Sequence, residues 1–134
     1  MAASKFRVLV ADDFEPIRRL ISSTLKSTPD VCVICEVSDG LEAIQKAAEL
    51  QPELILLDIG LPKLNGIDAA RQIRELAPES KILFITQESP PDVVQEALSV
   101  GANGLFVKTD ASSDLLTAVR AVLRGDNFVS QTKP

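Results

Sequence analysis

Five short apolar runs constrain the fold more than any other feature: Phe6–Ala11, Val31–Val37, Leu54–Leu57, Ile82–Thr86 and Leu105–Val107. They are rich in Val, Ile and Leu, and they are continuous rather than alternating. Strands buried on both faces read this way, which predicts a parallel sheet with helices on either side. The segments between them carry apolar residues at helical spacing. Ile17, Leu20, Ile21 and Leu25 mark the first, and Ala43, Ile44, Ala47 and Ala48 the second. Ile67, Ala70, Ile73 and Leu76 mark the third, and Val93, Val94, Ala97 and Leu98 the fourth. Leu115, Leu116, Val119, Val122 and Leu123 mark the last. Pro16 and Pro91 suit first helical turns, and Pro29, Pro52 and Pro78 follow helix ends. Gly40 and Gly66 stand near helix starts. The expected fold is α/β: a doubly wound, five-stranded parallel sheet, (βα)5. One domain is expected over residues 1–124, with 125–134 as a C-terminal tail or the start of a linker.

In an open parallel sheet, ligands bind beyond the carboxyl ends of the strands. The first run ends in Asp12-Asp13, the third in Asp58, the fourth in Thr86 and the fifth in Lys108. The second ends in Ser38-Asp39-Gly40, which reads as a turn. Taken singly, these residues have ordinary structural uses as caps, β-formers and solvated charges. Together they bring three carboxylates, a hydroxyl and an ammonium to one edge. At an effective dielectric of about 20, two carboxylates ~4 Å apart repel by about 4 kcal/mol, so such a cluster raises its pKa values or holds a cation. Carboxylate, carbonyl and water oxygens suit Mg²⁺. The same group can hold a phosphoryl group, with Lys108 and a metal neutralising its oxygens and Thr86 donating a hydrogen bond. A central carboxylate can attack phosphorus to form an acyl phosphate.

The chain carries a formal net charge of −5 and no histidine. The overall field therefore does not attract nucleic acid or anionic membrane. The missing histidine removes the common zinc sites and histidine acid–base catalysis. No apolar run approaches the ~20 residues that span a bilayer. With no apolar leader segment near Met1, a cytoplasmic location is expected. Cys32-Val-Ile-Cys35 forms a C-x-x-C, but in a strand. Residues three apart on a regular strand face opposite ways, so the pair is expected to be two small hydrophobes with no redox or metal role.

Four segments, in order, resemble the signature segments of response regulator receiver domains. They are Val8-Leu-Val-Ala-Asp-Asp-Phe-Glu-Pro-Ile-Arg18, Leu54-Ile-Leu-Leu-Asp-Ile-Gly-Leu-Pro-Lys-Leu-Asn-Gly66, Ile82-Leu-Phe-Ile-Thr86 and Gly101-Ala-Asn-Gly-Leu-Phe-Val-Lys108. The likeness runs from about Phe6 to Arg124 and implies a flavodoxin-like, CheY-like fold. It implies Asp58 as phosphoacceptor, Asp13 as a direct Mg²⁺ ligand, Asp12 as a ligand through water and the Gly60 backbone carbonyl as another ligand. Thr86 resembles the switch hydroxyl, and Lys108 the lysine that binds a phosphoryl oxygen. The implied partners are a sensor histidine kinase and, on phosphorylation, a second copy of the chain. The implied activity is signalling rather than enzymatic, beyond the domain's own phosphorylation and dephosphorylation. The segment Val122-Leu-Arg-Gly-Asp-Asn-Phe-Val-Ser130 is most like receivers that continue into a LuxR-type helix-turn-helix domain. Any DNA binding would then reside in that output domain and not in these residues.

The chain departs from the family pattern at three places. Leu105 stands where many receivers carry an aromatic that rotates with the switch hydroxyl, Gln87 where a small residue is common, and Thr109 where proline is common. Phe106 is one place late and should face the other side of the sheet. A haloacid-dehalogenase-type hydrolase would need a second Asp at Gly60. Dinucleotide and P-loop folds lack their glycine motifs here. A receiver-like interaction module that works without phosphorylation stays open as the alternative.

Overall fold

A computed structural model describes residues 6–87, 90–108 and 112–129. The strands are β1 (Phe6–Ala11), β2 (Val31–Val37), β3 (Leu54–Asp58), β4 (Lys81–Thr86), β5 (Gly104–Val107) and β6 (Phe128–Val129). The helices are α1 (Glu15–Lys26), α2 (Gly40–Leu50), α3 (Gly66–Leu76), α4 (Pro91–Ser99) and α5 (Ser112–Leu123). The sheet order is β2-β1-β3-β4-β5-β6, and every pairing is parallel. The order reverses at β1, so the carboxyl ends of β1 and β3 flank the crevice where such sheets bind ligands.

The expected layering follows from the buried strands. All five residues of β3 are buried, as are the last four of β1 and the last five of β4. One core, including Leu9, Ile55, Leu57, Phe84 and Leu105, lies under α2, α3 and α4. The other, including Val8, Val10, Leu56, Ile85 and Phe106, lies under α1 and α5. Leu105 and Phe106 thus face opposite sides, as their spacing predicts. Leu105 is fully buried, which rules out a surface position for it.

Local chemistry fixes where the helices start. Asp39 caps α2 by accepting from the Glu42 N–H at 2.8 Å, and Asn65 caps α3 by accepting from the Asp68 N–H at 3.0 Å. Gly66 has no room for a side chain, because a Cβ would fall on the carbonyl oxygen of Asp58. Its N–H donates to the Ile59 carbonyl at 2.8 Å, so α3 begins tight against the end of β3. Three leucines expected on buried helix faces, Leu20, Leu76 and Leu98, are exposed. Leu20 sits 100° around α1 from Ile21, at the margin of the buried stripe.

Two findings go beyond the sequence reading. The segment after α5, expected to lie outside the repeat, contributes β6. Phe128 lies opposite Gly104 and Val129 opposite Leu105, and Phe128 packs on the α1–α5 core. A Cβ at Gly104 would come within 2.6 Å of the Phe128 carbonyl oxygen, so the glycine lets this strand approach. The second finding corrects the reading of the cysteines. Val8 pairs with Val33 but Leu9 pairs with Cys35, so Ile34 is an extra, bulged residue in β2. The bulge resets the alternation. Val31 and Val33 face the α1–α5 core, while Cys35 and Val37 face the α2–α4 core. Cys32, beside Arg7 and opposite in sense to its neighbours Val31 and Val33, faces the same way as Cys35. The two thiols share a face, contrary to the expectation for a regular strand.

Candidate functional site

The residues that the sequence placed on one edge meet in a cleft of about 650 Å³. Asp13, Asp58, Gly60, Thr86 and Lys108 line it, with Phe14, Ile59, Gln87, Pro90 and Val93 completing the wall. Asp12 lies fully buried behind them. The position of Thr109 falls outside the described residues.

Each side chain is set by its strand end. Leaving β1, the chain turns so that Asp12 Oδ1 accepts from the Phe14 N–H at 2.9 Å, while the Asp12 carbonyl accepts from Arg18 Nη1 at 2.8 Å. Asp58 closes β3, and its Oδ1 accepts from the Gly60 N–H at 3.0 Å. Thr86 closes β4 and is buried, and its carbonyl accepts from the Lys108 N–H at 2.7 Å. That bond ties the β5 exit to the β4 exit.

The Lys108 ammonium is the electrostatic centre. Nζ lies 2.9 Å from Asp12 Oδ2 and 3.2 Å from Asp58 Oδ2, and the lysine side chain is only 7% exposed. Carboxylate oxygens of Asp12, Asp13 and Asp58 all fall within 4.8 Å of one another. Burial raises the Asp58 pKa above the ordinary carboxylate value. The Gly60 hydrogen bond and Lys108 oppose that rise, and the neighbouring Asp12 charge adds to it. Burial alone would lower the Lys108 pKa, but the hydrogen bonds and charges of the two aspartates outweigh it and hold the pKa above the ordinary lysine value.

The donor set fits a hard divalent cation. Three carboxylates meet one ammonium, so the cluster retains net negative charge. Asp12 Oδ2 is buried and meets the Lys108 ammonium at 2.9 Å, which leaves it a lone pair for a further donor. An oxygen in that position suits a water held by a cation. Asp13, the exposed member, offers its oxygen to the open side.

Sequence reasoning identified the acids, the hydroxyl and the lysine, and the fold brings all of them together. It passed over Phe14, Pro90 and Val93 as cleft wall, and Arg18 as the residue that holds the Asp12 backbone. Arg18 also pairs with Glu36 at 3.4 Å, tying the β1 exit to β2. Its position six residues after Asp12 was the available signal, but only the turn after β1 aims its side chain backward.

A parallel flavodoxin-like sheet with an acidic cleft at its carboxyl edge defines a class, and comparison with known proteins agrees with it. Residues 8–120 match the model of the response regulator receiver domain, and the chain belongs to that family. It is 38% identical over 121 residues to the response regulator protein VraR of Staphylococcus aureus, covering 90% of this chain and 58% of that protein. The chain therefore spans little more than half the length of this relative. Among solved structures, it resembles a LuxR-family two-component response regulator from Aurantimonas sp. SI85-9A1. That match has a TM-score of 0.88 and 28% identity, and covers 93% of this chain and 89% of that one. The receiver domain of NarL from Mycobacterium tuberculosis matches with a TM-score of 0.87 and 28% identity, over 92% of this chain and 99% of that one. The chain is thus a receiver of two-component signalling with LuxR-type relatives. No helix among the described residues is long and apolar enough to cross a membrane.

Proposed function

We propose that this domain accepts a phosphoryl group on Asp58 from a sensor histidine kinase in the cytoplasm, and that the acyl phosphate switches its conformation. The observation that carries this reading is the Lys108 ammonium held between Asp12 and Asp58 at the mouth-facing end of the sheet. An Asp58 oxygen attacks phosphorus as the bond to the donor, an imidazole nitrogen or an acyl oxygen, breaks; the donor leaves with that electron pair. Asp13, Asp58 and the Gly60 carbonyl would hold Mg²⁺, with Asp12 reached through water. The metal would neutralise phosphoryl oxygens and so lower the electrostatic cost of bringing a phosphate among carboxylates. Lys108 exchanges its carboxylate contact for a phosphoryl oxygen, and the Thr86 hydroxyl donates to another. Dephosphorylation is hydrolysis of the same acyl phosphate.

The readout is a shift between two pre-existing conformations. Leu105 is buried in the α2–α4 core and is not an aromatic, so the rotation that its position performs in many receivers is absent. The change is carried by the backbone between β4 and α4 and reaches the α4–β5–α5 face, where it biases dimerisation or docking. The folded unit runs past the expected limit of 124 through β6, and an output DNA-binding domain outside these residues would fit a relative of which the chain covers 58%.

The test is uptake of one phosphoryl group from acetyl phosphate, read by intact mass. Wild type should be labelled with Mg²⁺ and unlabelled in excess EDTA. Equal labelling in EDTA would refute the metal-dependent reading, and no labelling with Mg²⁺ present would favour the phosphorylation-independent module.

A further inference from the structure

We propose that Cys32 and Cys35 form a two-thiolate site for a soft, thiophilic metal ion such as Cu(I), on the α2 side of the sheet and separate from the acidic cleft. Both cysteines are free and partly exposed, and the bulge at Ile34 turns them to the same face. Their spacing follows from the register. Cys32 lies opposite Arg7 and Cys35 opposite Leu9, and those partners are two residues apart on a regular strand. At about 3.3 Å per residue, the two cysteines therefore stand ~6.6 Å apart along β2.

That spacing decides between the chemistries open to two thiols. A disulfide needs Cβ atoms roughly 3.5–4.5 Å apart. Side chains that stand side by side on one face two rises apart keep their Cβ atoms near the Cα spacing, beyond that range. A metal ion between the sulfurs closes the gap, because two metal–thiolate bonds of about 2.3 Å span ~4.6 Å from sulfur to sulfur. Zinc would want four ligands. The chain has no histidine, and among the described residues the acidic cluster of Asp12, Asp13 and Asp58 is the one grouping of three or more potential ligands. Two thiolates alone suit a soft ion that accepts two-coordination. Each thiol gives up its proton on binding, so affinity rises with pH. β2 is the edge strand and pairs with β1 alone. A bridge across Ile34 would fix the bulged register there.

The test is anaerobic titration of the whole chain with Cu(I) against a competing chelator, with native mass spectrometry for stoichiometry. Wild type should bind one ion. Cys32→Ser and Cys35→Ser should each weaken binding by about 100-fold, the advantage of two linked ligands over one. Asp12→Asn/Asp58→Asn should bind Cu(I) as wild type does, which separates this site from the acidic cleft. Retention of wild-type affinity by either single cysteine variant would overturn the proposal. So would an intramolecular disulfide formed by exchange with glutathione disulfide, since that would place the sulfurs closer than the register allows.

Discussion

Replacing Lys108 with methionine keeps the length of the side chain and deletes its charge. At an effective dielectric of about 20, the contacts at 2.9 and 3.2 Å are each worth about 5–6 kcal/mol of gross attraction. Carboxylates up to 4.8 Å apart repel by about 3.5 kcal/mol or more on the same scale. Desolvation of the ammonium offsets most of the attraction, and removing one partner of a buried ion pair costs roughly 3–5 kcal/mol net. Asp58 can take a proton and relieve part of the strain, so Lys108→Met should lose about 3 kcal/mol at pH 7 in EDTA. A domain with ordinary stability of about 5–15 kcal/mol stays folded after that loss. The folded pKa of Lys108 is raised, so its contribution is fully present below the unfolded value of 10.5 and is lost only as pH rises through the folded value. On the acid side the deficit should shrink as Asp58 protonates, beginning above the ordinary carboxylate range because burial raises its pKa. Mg²⁺ at about 100 times its Kd stabilises a protein by ~2.7 kcal/mol, and the deficit shrinks because the variant, lacking the competing ammonium, binds the ion more tightly than wild type. Urea unfolding of wild type and variant, with EDTA and with Mg²⁺, checks each part. Equal stability in EDTA, or a deficit that Mg²⁺ leaves unchanged, would refute the reasoning.

Three other outcomes follow from the same geometry. Asp58→Asn should abolish phosphoryl uptake yet raise stability at pH 7 without metal: the raised folded pKa means the ionised carboxylate costs stability above that pKa, a cost that fades as pH falls through it. Urea unfolding across pH checks the sign. In EDTA the Asp58 carboxyl should titrate above the ordinary carboxylate value, and Mg²⁺ should draw its titration downward, followed by carboxyl NMR; a titration that Mg²⁺ leaves in place would contradict Asp58 as a ligand. Leu105→Tyr should cost about 1–3 kcal/mol by overfilling a core in which Leu105 has no exposed surface, measured by thermal unfolding.

What the sequence made legible was whatever depends on strand order and on strand ends. Asp12, Asp13, Asp58, Thr86 and Lys108 each close a strand, and parallel strands put all their carboxyl ends on one edge. The bulge at Ile34 was not legible, because Val31–Cys35 is apolar throughout and the parity break appears only in the pairing with β1. The pairing of Phe128 with Gly104 was hidden for a similar reason: two strand residues beside Gly125 and Asp126 show no period. The exposure of Leu20, Leu76 and Leu98 shows that helical spacing marks a stripe without fixing its margins. Nor does spacing say which carboxylates a lysine meets. That both Asp12 and Asp58 reach Lys108 depends on the twist between β1, β3 and β5.

Borohydride reduction of the phosphorylated protein, followed by peptide sequencing in the mass spectrometer, tests the central claim most directly. Reduction converts an aspartyl phosphate to homoserine and leaves free carboxylates untouched. The account predicts homoserine at position 58 and at no other position. Homoserine at Asp12 or Asp13, or a phosphate on serine or threonine with Asp58 unchanged, would contradict it.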